Sequence, residues 1–257
     1  MTVQLAIKMV RTGYLSGKRA EAYKNLQSIL TLLEEMGFAP DTFSFSDEPN
    51  HPLYHKQFPS PVYDNHFLTT EGQLLLYFLR EKKPAYEFYP GFVSEKLGYN
   101  SLSIDFKDVS KAQVAELFEV ASAIAQVTRP LFGGLGFPWE AETAEAEAFN
   151  RMLNTDSLEL FKNGPDSVAI RTWFGPAFAA QLDPAALEKL GLVVRRTDWS
   201  GLEVDLAEVP WAVPFERLAE QKAAFNRYLN SLGLLGDYSR TLLRTPGRNW
   251  QAVQAFG

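Results

Sequence analysis

Not one residue of this 257-residue chain is cysteine, and its three histidines, His51, His55 and His66, fall within a single proline-rich stretch. Disulfides and thiolate–metal clips are therefore excluded, and the fold needs neither a disulfide nor a metal to hold it together. The material for a core is present, since 46% of the residues are hydrophobic and 13% aromatic. The same scarcity removes thiol chemistry and confines histidine chemistry to one segment. The length allows one large domain or two small ones.

Two hydrophobic periods alternate along the chain. Val3, Leu5, Ile7 and Met9 alternate with Gln4, Ala6 and Lys8, the pattern of a strand with one apolar face. Ala22, Tyr23, Leu26, Ile29, Leu30, Leu33 and Met36 recur at helical spacing and predict a helix that stops at Gly37. Thr42 to Ser46 predicts a second strand, and Glu71 to Lys82 a short helix with Leu74, Leu75, Phe78 and Leu79 inward. Tyr86 and Phe88, then Leu102, Ile104 and Phe106, mark two more strands. Ser110 is a good N-cap for a helix to about Thr128, and Gly133-Gly134-Leu135-Gly136-Phe137 reads as a turn into a strand. Further strands are expected at 168–172, 192–196 and 202–206. Short helices follow Gly175 and the Asp183-Pro184 pair, and a long one spans 214–232 with Gly233 at its end.

These elements make an α+β fold, a mixed or mostly antiparallel sheet covered by long helices, in a pattern compatible with two similar α+β halves. The expected divisions are an N-terminal half over 1–137, a polar connecting segment over 138–165 and a C-terminal half with an irregular tail over 166–257. Trp250 and Phe256 are suited to pin that tail to the body.

Pro49, Pro52, Pro59 and Pro61 exclude a regular helix over 47–70, which reads as a long ordered loop. Loops of that length are often functional. His51, His55 and His66, with Asp47, Glu48 and Asp64, are metal-ligand types. Pro52, directly after His51, spoils the helical geometry that two histidines four apart would need, and no HExxH or zinc-finger spacing is present. No metal or cofactor is expected. The plain reading is a solvated polar loop, and the chemical one a histidine acid or base. The glycine run lacks the Lys-Ser/Thr of a P-loop and the GxGxxG spacing. Ser200 has no GxSxG context and no histidine in its half of the chain. Trp173, Trp199, Trp211, Arg171, Arg195 and Arg196 are types common at interface hot spots and equally in ordinary cores and surfaces.

The net charge of −6 disfavours a phosphate backbone as partner and favours a basic protein, although solubility alone accounts for mild acidity. Glu140, Glu142, Glu145 and Glu147 form an acidic run, either a solvated face or a patch for such a partner. Together with His51, Tyr54, His55 and Tyr63 of the long loop, they are the candidate partner-binding residues. The N-terminus lacks the apolar run and small-residue site of a secretory signal, and no stretch approaches the ~18 residues of a membrane span. A cytoplasmic protein that binds neither membrane nor nucleic acid is expected.

The segment Ser167-Val-Ala-Ile-Arg-Thr-Trp-Phe-Gly-Pro-Ala-Phe-Ala-Ala-Gln-Leu182 continues through Leu187, through Trp199-Ser-Gly-Leu-Glu-Val-Asp-Leu206, and into the helix ending at Leu232. This succession resembles bacterial families that include immunity proteins of polymorphic-toxin and type VI secretion systems. The likeness covers roughly the last third of the chain and, more loosely, Leu102 to Phe137. It consists of packing positions, so it carries no catalytic residue over. It implies a non-enzymatic protein that binds and blocks one cognate toxin. The residues leave two other readings open. One is a hydrolase or transferase using the histidine loop over 47–70, and the other a structural subunit of a bacterial defence or secretion complex.

Overall fold

Leu5, Ile7 and Met9 are buried along one side of strand β1 (Thr2–Thr12), as their alternation requires. The computed structural model describes residues 2–12, 19–45, 54, 56–60, 76–92, 99–238 and 244–255. The chain divides into two compact units, residues 1–6 with 13–128 and residues 7–12 with 129–257. Strand β1 therefore contributes to both. The fold is α+β with ten strands among the described residues, and every described strand register is antiparallel.

The first unit contains α1 (Arg19–Glu35), β2 (Thr42–Ser44), β3 (Lys56–Gln57), β4 (Tyr77–Arg80), β5 (Ala85–Phe92), β6 (Tyr99–Ser110) and α2 (Lys111–Thr128). Its strands run in the order β3-β2-β4-β5-β6-β1. One face carries Phe43, Phe78, Tyr86, Phe88, Ile104 and Phe106, all buried, and α1 packs against α2 through their apolar stripes. Edge-to-face and stacked rings fill this core, with Phe78 5.7 Å from Phe88 and Tyr86 5.3 Å from Phe106. The buried Tyr86 hydroxyl donates to the Phe38 carbonyl at 2.7 Å. At the start of α2 the Gln113 side chain accepts from both the Ser110 hydroxyl and its backbone N–H, the Gln-to-N-cap half of a capping box.

The structure corrects one predicted element here. Residues 77–80 are a strand, not the end of a helix, and Phe78 stands between Phe43 of β2 and Phe88 of β5. A short apolar run fits both periods, and cross-strand aromatic pairing on two sides decides for the strand. Residues 71–75 lie outside the described residues.

The second unit contains β7 (Phe132–Gly136), α3 (Ala144–Asn154), α4 (Ser157–Asn163), β8 (Arg171–Phe174), α5 (Pro176–Ala179), α6 (Pro184–Lys189), β9 (Val193–Arg196), β10 (Leu202–Asp205), α7 (Phe215–Ser231) and α8 (Trp250–Ala255). Its strands run β1-β7-β8-β10-β9. Thus Gly133 to Gly136 do not turn into a strand. They are one, paired with β8. Phe174, Val204 and Leu202 are buried on one sheet face, where Phe174 meets Phe178 of α5 and Phe225 of α7. Trp250 pins the tail, with its ring 1% exposed and its indole N–H donating to the Phe161 carbonyl at 2.9 Å. Among the described residues no helix is long and apolar enough to cross a membrane.

The opposite side of β8 and β10 carries charge. Arg171 grips Asp205 with two parallel hydrogen bonds of 2.7 and 2.8 Å, and Arg195 reaches the same carboxylate at 2.7 Å. Glu203 accepts from the Trp173 indole at 2.9 Å and from Arg195 at 3.2 Å. Asp205 is completely buried and Arg171 is 5% exposed, so these partners replace water. Such a network adds little net stability over an apolar core, but breaking it strands a buried charge. Asp205→Asn should lower unfolding free energy by roughly 3–5 kcal/mol, read as a fall in the urea midpoint with little change in slope.

Candidate interaction surface

The acidic run sits on a mount built for rigidity. Gly134 lets α3 approach β7 closely: a Cβ there would lie 2.5 Å from Ala169 Cβ and 2.6 Å from Met152 Cε. Met152 is fully buried in that contact. The segment leading into α3 is fixed by Asn150, whose side-chain oxygen accepts the Trp139 N–H at 2.7 Å and whose amide donates to the Trp139 carbonyl at 3.0 Å. The Trp139 ring stacks on Phe215 at 5.6 Å, and Phe149 meets both rings edge-on.

Thr143 caps α3, its hydroxyl accepting the Ala146 N–H at 3.2 Å. Glu145 and Glu147 occupy the first turn, where the helix dipole favours negative charge by about 0.3–1 kcal/mol each. That structural role accounts for two of the four carboxylates. Glu140 and Glu142 precede the helix and have no such role. All four are exposed, and no ion pair among the described residues engages any of them.

Of the other predicted site residues, Tyr54 is half-buried, and His51, His55 and Tyr63 lie outside the described residues, as does His66. Trp173 and Arg171 belong to the buried network, Trp199 is buried, and Trp211 stands 37% exposed beside Val209. No cluster of three His, Cys, Asp or Glu side chains among the described residues is placed to hold a metal ion.

Sequence reasoning missed two buried charges behind the acidic run. Lys222 of α7 is 4% exposed and lies beneath α3. Asp166 sits at the other end of that helix with a side chain 2% exposed. Leu218, Phe225 and Leu229 form the buried stripe of α7, and Lys222 occupies a position in it. A lysine interrupting an apolar stripe was the legible signal. Asp166 also lines a polar recess of about 500 Å³ with Asn226, Arg227, Asn230 and Asp237. Asn226 is already committed there, accepting the Val168 N–H at 3.0 Å and donating to the Ser167 hydroxyl at 2.9 Å.

No protein-family model matches this chain, and no curated protein matches it. Among solved structures, the T6SS protein PA0821 of Pseudomonas aeruginosa is similar over 90% of this chain and 84% of its own, with a TM-score of 0.52. The sequences are 14% identical, so the likeness is one of fold.

If Asn150 sets the mount, Asn150→Ala should cost about 1–3 kcal/mol of stability and speed amide exchange over residues 139–143, while the amides of α2 keep their protection. Unchanged exchange over 139–143 would mean that the rings, not the side-chain amide, order this segment.

Proposed function

We propose that this chain is a non-enzymatic, immunity-type binding protein that neutralises a cognate bacterial toxin by direct contact, acting in the cytoplasm. The observation that carries the reading is the run of four exposed carboxylates, none in an ion pair among the described residues, on a segment held from behind by aromatic stacking and Asn150. Pre-ordered charge lowers the entropic cost of association and speeds encounter with a basic partner. The fold likeness to a T6SS protein supports the setting, as does the resemblance of the last third of the chain to immunity families. The buried Arg–carboxylate network supports a packing role for the most obvious ionisable cluster, since its groups are bonded to one another.

The reading expects a toxin gene next to this one, and that toxin provides the test. Co-expression should protect cells from it, and the purified pair should bind in equimolar amount. Reversing the run with Glu140→Lys, Glu142→Lys, Glu145→Lys and Glu147→Lys should slow association about tenfold or more at low salt and flatten its salt dependence. Thermal melts control for the dipole contribution of Glu145 and Glu147. An unchanged association rate would remove the run from the interface, and a toxin left active in the bound complex would end the immunity reading.

A further inference from the structure

Two buried titratable groups fasten the helix that carries the acidic run. Lys222 holds its middle: the amine donates to the Phe149 carbonyl and lies 5.0 Å from the centroid of the Phe149 ring. Asp166 holds its end. One carboxylate oxygen accepts from the Thr155 hydroxyl at 3.2 Å and stands 3.9 Å from Arg151 Nε, while the other has no hydrogen-bond partner. The charged groups facing the amine are Asp166, which favours the ammonium, and Arg151 of α3, which opposes it. A neutral amine still donates to the Phe149 carbonyl, so the helix keeps that bond in either state. What changes on protonation is the cost of keeping a charge out of water.

We propose that α3 is held by a pH-sensitive latch: when the Lys222 amine takes up a proton, the helix loosens from α7, and the acidic run at its start loosens with it. The behaviour concerns the free protein and goes beyond the partner reading. Burial pushes the amine down to about 7 from the usual 10.5, with Asp166 only partly offsetting it. Once the helix opens, a solvated lysine keeps its proton up to its usual range. Opening therefore takes up a proton between those two values. The closed helix gains as pH rises through that window, and the effect is flat below about 7. Asp166 is itself raised by burial, so its own titration acts with the opposite sign on the acid side.

Hydrogen exchange on the free protein tests this. Corrected for intrinsic rates, protection of the α3 amides should rise about tenfold between about pH 8 and about pH 9, more than that of α2. Lys222→Met, which keeps the volume filled, should abolish the rise. Asp166→Asn removes the anion that favours the ammonium among the described residues, so it should move the onset to lower pH. The ε-methylene signal of Lys222, followed by NMR, should titrate near 7. A Lys222 signal titrating in the ordinary lysine range would overturn the latch, as would an α3 profile unchanged in Lys222→Met. Neither measurement uses a partner, so the latch and the immunity reading fail independently.

Discussion

A helix can lie this close to a strand only where the strand has no side chain. Gly134 supplies that absence, and Met152 fills it. From this contact follow the direction of α3, the position of Phe149 over Lys222, and the stacking of Trp139 on Phe215. Any larger residue at Gly134 would push against a fully buried methionine and the Ala169 side chain, in an interior too dense to yield. The glycine-rich stretch is thus a seat for the helix that displays the acidic run.

The second unit sorts its charges by what surrounds them. Arg171, Asp205 and Glu203 are taken out of water in contact with one another, with a bidentate pair at the centre and the half-exposed Arg195 at its rim. Glu140, Glu142, Glu145 and Glu147 are left in water, with no ion pair to them among the described residues. Between these extremes lie Lys222 and Asp166, buried but incompletely compensated. Full compensation makes the first group rigid and inert, and hydration makes the second cheap to display. Partial compensation leaves the third sensitive to its surroundings.

Long periodic segments were the legible part of the fold. The stripes at Leu26–Leu33, Val114–Ala125 and Leu218–Leu229 were readable as helices, and the caps at Ser110 and Asp183 marked where helices begin. Residues 77–80 are ambiguous in sequence because four apolar-rich positions fit either period, and only the neighbours Phe43 and Phe88 decide. Gly133–Gly136 looked like a turn because glycine is the usual turn residue. Its function in close helix packing depends on Met152 and Ala169, which no local pattern links to it. The acidic run could be read as exposed, yet the scaffold behind it could not, since Asn150 and Phe215 act across sequence gaps. Lys222 could have been found as a lysine at an apolar position, and Asp166 could not.

Strand β1 belongs to both units, and its residues 7–12 join a body whose remaining residues begin at 129. That body also needs Trp250, whose indole bonds to a carbonyl 89 residues earlier. The second unit is therefore assembled from residues made at widely separated moments of synthesis. Residues 19–128 hold most of what the first unit requires and can organise as they leave the ribosome. The second cannot close over Phe178 and Gly164 until Trp250 has been made. Until then the apolar surface that Trp250 covers stays open in the nascent chain.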